Sequence, residues 1–188
     1  MKSKLRKHIE KITSLTDEEF EYVLSHFNRK ELKKHQYIVQ EGELVNKDFW
    51  VLNGLLKAYY TDDNGKQYIL QFAMEDWWIT DYRAYFNKTK ATINVDCLEP
   101  TELLYITLSD REKICSELHK MANFFRIKSS NGYVALQDRI LTLLSTNSKE
   151  RYFQLLDKYP QLYQRVPKTL IASYLGVSRE TLSRLNSK

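Results

Sequence analysis

Around Ser109 the periodicity of the sequence changes, and that change restricts the chain to two kinds of architecture in a fixed order. From Tyr37 onward the apolar residues come in short runs broken by Gly42, Gly54 and the Asp62-Asp63-Asn64-Gly65 segment. The last of these predicts a type I′ hairpin between strands over 55–61 and 66–72. Further β-like segments cover 91–98 and 102–108. Short strands at roughly 8–12 residue spacing with turn signals between them predict a small all-β barrel or sandwich. From Asp110 to about Thr146 the sequence contains no proline, and Leu118, Ala122, Phe125, Ser129, Gly132 and Leu136 recur at steps of 4, 3, 4, 3 and 4. That spacing is a heptad seam, narrow at Ser129 and Gly132, and it predicts a long helix that pairs two subunits or else packs on its own β-domain.

The segments on either side are helical. Thr16-Asp-Glu-Glu begins with a capping box, Thr16 answered by Glu19, after which Phe20, Val23, Leu24 and Phe27 share one face. Asn147-Ser148, Pro160 and Pro167 delimit a short helix over 149–158 and an irregular stretch after it. The expected class is therefore α+β. An N-terminal antiparallel β-roll with flanking helices would occupy 1–109, a dimerisation helix and hinge 110–146, and a helix-turn-helix unit 147–188.

An apolar fraction of 43% with only 5 Gly and 3 Pro excludes a disordered chain. Cys97 and Cys115 are too few for a disulfide framework, and no apolar run follows Met1-Lys-Ser-Lys, so the cytoplasm is the expected location. No stretch approaches the ~18 apolar residues of a membrane span, and no membrane partner is expected. The net charge of +5 is unevenly placed. Residues 1–145 hold 21 Lys+Arg and 21 Asp+Glu, whereas 146–188 hold 8 against 3. A basic segment on a neutral body fits a polyanion partner, nucleic acid first among them, although a solvated basic face would look the same.

The C-terminal stretch Lys168 to Leu185 reads as two helices joined at Gly176, which supplies a positive-φ turn residue. Ile171, Leu175, Val177, Leu182 and Leu185 would form one small core, with Ala172 short enough to let the helices cross closely. Ser178 is placed to cap the second helix through the N–H of Thr181. At 100° per residue Arg179, Glu180, Ser183 and Arg184 lie on one face, opposite Leu182 and Leu185. Arginine can pair with guanine O6/N7 and glutamate can accept from cytosine N4, so this face suits a helix in the major groove of double-stranded DNA. A plain amphipathic hairpin is the competing reading.

The motif Gly-Val-Ser-Arg-Glu-Thr-Leu-Ser-Arg-Leu (176–185) resembles the recognition segment of the cyclic-AMP receptor protein and fumarate/nitrate reduction regulator (Crp/Fnr) family of bacterial transcription factors. The resemblance extends in order over nearly the whole chain: cyclic-nucleotide-binding-like β-roll, dimer helix, helix-turn-helix. It implies a homodimeric, non-enzymatic regulator of transcription that engages DNA and RNA polymerase. Arg179, Glu180 and Arg184 match base-reading positions; Lys168, Thr169, Ser178, Thr181 and Ser183 match backbone-contacting ones. Three residues follow Leu185, so no second wing strand is expected.

Nucleotide-binding relatives carry a Gly-Glu-Leu and Arg-Ser-Ala phosphate cassette. Here Thr80-Asp81 and Lys88, Lys90 and Thr92 occupy the corresponding region, without the glycine and with Lys in place of Arg, a poorer bidentate partner. No response to cyclic AMP is expected. Trp77, Trp78, Asp81, Lys88, Lys90, Thr92, Phe124 and Phe125 are the candidates for lining a different ligand pocket, or are simply core. No cofactor or metal is expected. Two distant cysteines cannot hold an iron–sulfur cluster, and no nucleophile, zinc or P-loop constellation is present. The residues name no effector, and a small-molecule-binding sensor whose C-terminal helices serve only packing is the alternative function.

Overall fold

The computed structural model describes residues 1–186, the side chain of Asn186 excepted. Within it the strands are β1 (Asn28–Leu32), β2 (Tyr37–Val39), β3 (Lys47–Asn53), β4 (Leu56–Thr61), β5 (Gln67–Ala73), β6 (Trp78–Ile79), β7 (Asn94–Cys97) and β8 (Thr101–Thr107). They form two four-stranded sheets, in the orders β1-β8-β3-β6 and β2-β7-β4-β5. The first is antiparallel throughout, with Phe49 opposite Tyr105 and Arg29 opposite Leu104. The helices are α1 (Lys2–Glu10), α2 (Asp17–Ser25), α3 (Tyr82–Asn87), α4 (Leu108–Glu117), α5 (His119–Ser145), α6 (Ser148–Lys158), α7 (Pro160–Arg165), α8 (Lys168–Leu175) and α9 (Arg179–Asn186). Among the described residues, no helix is long and apolar enough to cross a membrane.

The pleat of the β3–β8 pair divides the β-domain into two cores, because successive side chains of a strand point to opposite faces. Phe49, Val51 and Leu103 face a cluster with Val39, Leu56, Ile79, Tyr85 and Val95. Trp50, Leu52, Leu104 and Ile106 face a second, made with Leu5 and Ile9 of α1, Phe20 and Val23 of α2, and Met121, Phe124 and Phe125 of α5. The helix α2 begins on the capping box that its sequence predicts: the Glu19 N–H donates to Thr16 Oγ1 at 3.2 Å and the Thr16 N–H donates to Glu19 Oε2 at 2.8 Å. Gly54 is required where β3 turns into β4. Its φ is +114°, and a Cβ there would lie 2.5 Å from Thr101 Oγ1.

Three expectations need correction. The β4–β5 hairpin forms, but not through a two-residue type I′ turn. The Gly65 N–H donates to the Asp62 carbonyl and the Asp62 N–H to the Lys66 carbonyl, and only Gly65 in the loop has positive φ, +79°. The Asp62 carboxylate accepts from the Asn64 and Lys66 N–H groups, which holds the intervening residues in ordinary turn geometry. Second, the helix expected from 110 is two helices. Leu118 adopts φ −123° and ψ 99°, which ends α4, and α5 starts at His119. Third, the stretch after Lys158 is the helix α7, with Pro160 in its first turn. Of the two compact units, one comprises 1–58 and 72–130, the other 59–71 and 131–188, so the hairpin groups with the C-terminal helices and α5 runs through both.

A buried imidazole links α1 to the sheet. Trp78 Nε1 donates to His8 Nε2 at 2.9 Å, while His8 Nδ1 meets the Asp76 carboxylate in a short contact. Protonating Nε2 would break the tryptophan bond and charge a buried ring. Burial and the nearby Lys128 outweigh Asp76, and push His8 down to about 4. The unfolded chain takes up this proton near its ordinary pKa of about 6.5, so the stability from neutral His8 is full above that pH and is lost as pH falls towards 4. Asp48, pushed up to about 7 by burial despite Arg111, acts in the opposite sense over the same range. Denaturation at pH 6.5 and 4.5 should therefore show His8→Phe losing about 2 kcal/mol less than the parent on acidification.

Candidate nucleic-acid interface

The turn between α8 and α9 is built by one left-handed residue. Gly176 has φ +69° and ψ 35°, and its N–H and that of Val177 return to the carbonyls of Ser173 and Ala172. The second helix is capped as its sequence predicts, the Thr181 N–H donating to Ser178 Oγ at 3.2 Å. Ile171, Ala172, Leu175 and Leu182 are buried, and Val177 and Leu185 half-buried. Leu182, only 1% exposed, anchors the apolar side of α9 in the interior of its unit.

The opposite side of α9 is open. Arg179, Glu180, Ser183 and Arg184 are all exposed, as are Lys168 and Thr169 at the start of α8 and Ser178 before α9, while Thr181 is half-buried. The Glu180 carboxylate is held below its usual pKa by its own backbone N–H and by Ser178, so it is an anionic acceptor at neutral pH. The structure thus brings together on one hairpin every residue of the expected reading and backbone-contacting sets. It also shows that the Thr181 N–H is used within the protein, in the cap.

Two arginines that sequence reasoning did not single out hold this hairpin in place. The last carbonyls of a helix lack intrahelical donors, and in α8 they are met by guanidinium groups. Arg139 of α5 donates to the Tyr174 carbonyl at 3.0 Å and lies 3.6 Å over the Tyr174 ring. Arg151 of α6 donates through Nε to the Leu175 carbonyl at 3.0 Å and through Nη1 to that of Thr146. Cations here also complement the helix dipole. The signal was present in the heptad itself: the step after Leu136 falls on Arg139, where an apolar seam would not place a charge.

The expected seam separates into two halves. Phe125 is buried in the core of its own domain, Leu118 lies in the non-helical joint, and Ser129 accepts from Arg111, itself paired with buried Asp48. Gly132 and Leu136 are exposed. Among the apolar side chains that α5 leaves exposed, Tyr133, Leu136, Ile140 and Leu144, at 69, 57, 48 and 79% exposure, fall at helical spacing, with Val134, Leu141 and Leu143 exposed beside them. The first half of the helix is occupied by the β-domain, so Leu118 and Phe125 cannot serve the seam.

The expected ligand-pocket residues do not converge. Trp77 packs on one core cluster; Trp78, Phe124 and Phe125 belong to the other, with Trp78 and Phe125 ring centroids 5.8 Å apart. Lys88 and Lys90 are exposed, and Lys88 pairs with Glu112 at 3.9 Å. Asp81 and Thr92 do meet: the buried carboxylate caps α3 through the Ala84 N–H at 3.0 Å and accepts from the Thr92 N–H and hydroxyl. The two phenylalanines are core because each has an apolar cluster to fill. A cleft of about 430 Å³ along α6, lined by Asn147, Lys149, Glu150, Phe153 and Gln154, includes none of the eight.

A β-roll of this topology followed by a long helix and a helical hairpin defines a class. Residues 29–117 match the cyclic nucleotide-binding domain family. The regulatory protein HlyX of Actinobacillus pleuropneumoniae is 23% identical over 168 residues, which are 84% of this chain and 69% of HlyX. FixK2 of Bradyrhizobium japonicum superposes with a TM-score of 0.74 at 18% identity, over 86% of this chain and 83% of FixK2. A protein of Eubacterium rectale assigned to the Crp/Fnr family of transcriptional regulators gives a TM-score of 0.68 at 16% identity, over 91% and 82% of the two chains. The chain has the fold of these Crp/Fnr-type structures, its residues 29–117 match the cyclic nucleotide-binding domain family, and over most of its length it is similar to the regulatory protein HlyX.

The hairpin's stability should reside in its turn and its anchor. A Cβ at Gly176 would meet only Leu143, 3.8 Å away, so Gly176→Ala should cost the left-handed strain alone, about 1–2 kcal/mol. Leu182→Ala should cost about 2–5 kcal/mol. Urea denaturation followed by circular dichroism measures both.

Proposed function

We propose that the chain is a sequence-specific, DNA-binding regulator of transcription that acts as a homodimer. The observation that carries this reading is the division of α9, whose apolar side is buried through Leu182 while Arg179, Glu180, Ser183 and Arg184 stand exposed together. A helix of this width enters the major groove, where Arg179 and Arg184 present forked donors to guanine and Glu180 an acceptor to cytosine. Exposed Lys168 and Thr169 are positioned at the start of α8 for phosphates, which fix register without reading sequence.

The dimer contact is assigned to the open half of α5. Tyr133, Leu136, Ile140 and Leu144 follow one another at steps of 3, 4 and 4 residues, and an apolar stripe of that spacing on an exposed helix fits a second copy of itself. Two-fold pairing makes the target a palindrome with half-sites about 10 base pairs apart, or a multiple of that.

The domain is assigned no response to cyclic AMP. Supporting this, the N–H groups of Ala84 and Thr92 already serve the Asp81 carboxylate, whose charge opposes a phosphate at the same place. Millimolar cyclic AMP should leave both the melting temperature and the DNA affinity of the protein unchanged.

On the protein's selected duplex, Arg184→Ala should lose about 1–3 kcal/mol and relax the preference at one base pair of each half-site. Lys168→Ala should weaken all sequences alike and reduce the salt slope by about one. Equal losses on every sequence for both variants would remove the base-reading assignment. Ile140→Asp should shift the sedimenting species from dimer to monomer with the helix content retained.

A further inference from the structure

Strand β5 is an edge strand, the last in the order β2-β7-β4-β5, and so among the described residues one side of its backbone faces no further strand. Over Gln67 to Ile69 that side is taken up by side chains of the C-terminal helices. Ser173 Oγ on α8 donates to the Gln67 carbonyl at 2.7 Å and accepts from the Ile69 N–H at 3.3 Å. Arg139 Nη2 on α5 donates to the Ile69 carbonyl at 2.9 Å, and the same nitrogen donates to the Tyr174 carbonyl of α8. One hydroxyl and one guanidinium thus stand in for the missing neighbour strand and tie β5, α5 and α8 together at a single point.

The position of this tie along the chain gives it consequence. Three residues beyond Ile69, β5 enters the β-domain unit, where Phe72 and Ala73 are buried. The helix α8 carries α9 through the Gly176 turn.

We propose that Ser173 and Arg139 form a latch through which strand β5 sets the placement of the α8–α9 hairpin, so that a displacement of the β4–β5 hairpin is transmitted to the DNA-reading helix. Ser173 and Arg139 are positioning residues, and their effect on DNA rests on the assignment of α9 as the reading helix. A helix-turn-helix needs no serine at this point for its own fold, since the Ser173 hydroxyl is directed at β5 and not at α9.

The test uses the full chain and a remote perturbation. Gly65→Ala strains the hairpin turn alone, because φ is +79° and no atom lies within 4 Å of the added Cβ. Amide exchange is followed without DNA, and affinity is measured on the selected duplex. Ser173→Ala should speed exchange of the Ile69 amide about fivefold, the value of one hydrogen bond, and change DNA affinity three- to tenfold; Ser173→Thr, which keeps the hydroxyl, should restore both. Gly65→Ala should speed exchange across 168–182 and shift affinity in the parent, and do neither in the Ser173→Ala background. Unchanged Ile69 exchange in Ser173→Ala, or a Gly65→Ala effect equal in both backgrounds, overturns the latch. Should Ser173→Ala fail to fold, Arg139→Lys, which keeps the charge but not the fork, takes its place with the same readouts. A parent chain with no sequence-selective binding would sink the assignment of α9, and the spread of exchange from Gly65 to 168–182 would still decide the latch.

Discussion

The left-handed turn at Gly176 is the constraint on which the C-terminal unit depends. It allows α8 and α9 to share Ile171, Ala172, Leu175 and Leu182 as one core, and that sharing leaves the polar face of α9 to solvent. Eight-residue helices are too short to be stable in isolation, so the exposed polar face of α9 exists only because tertiary contacts hold the helix. Arg139 and Arg151 supply the polar part of that support, accepting the burden of the two carbonyls that α8 cannot satisfy within itself. Basic residues of this unit therefore have two roles: Arg151 belongs to the fold, whereas Lys168, Arg179 and Arg184 are exposed.

The β-domain shows a related economy. Its central strands β3 and β8 are buried on both faces, one against the sheet interior and one against α1, α2 and α5. Burying Met121, Phe124 and Phe125 in this way leaves the exposed large apolar side chains of α5 to the stretch after Ser130. Within the same domain, Asp81 spends its carboxylate on the N–H groups of Ala84 and Thr92, so the cassette region is internally satisfied.

Much of this was legible in the sequence, where local chemistry decides the outcome. The Thr16–Glu19 box, the Gly176 turn, the Ser178 cap and the strand-rich stretch before Ser109 depend on neighbours a few residues away. What was missed depends on distant partners. The turn at Asp62–Gly65 takes its geometry from where a carboxylate folds back, and the end of α4 at Leu118 has no proline or glycine to announce it. The 4-3 spacing through Phe125 is real, but periodicity says only that one face is apolar, not what covers it; here the covering element is the β-domain. For the same reason the aromatic residues grouped as a pocket, Trp77, Trp78, Phe124 and Phe125, divide between two cores on opposite faces of one sheet.

The central claim is that α9 reads base sequence as one of a symmetric pair. Selection of bound duplexes from a random pool by the full-length protein at physiological salt tests it most directly. The account predicts enrichment of a palindrome whose half-sites lie about one helical turn of DNA, or a multiple, apart. Recovery of unenriched sequence, or of a single half-site with no symmetric partner, would contradict it.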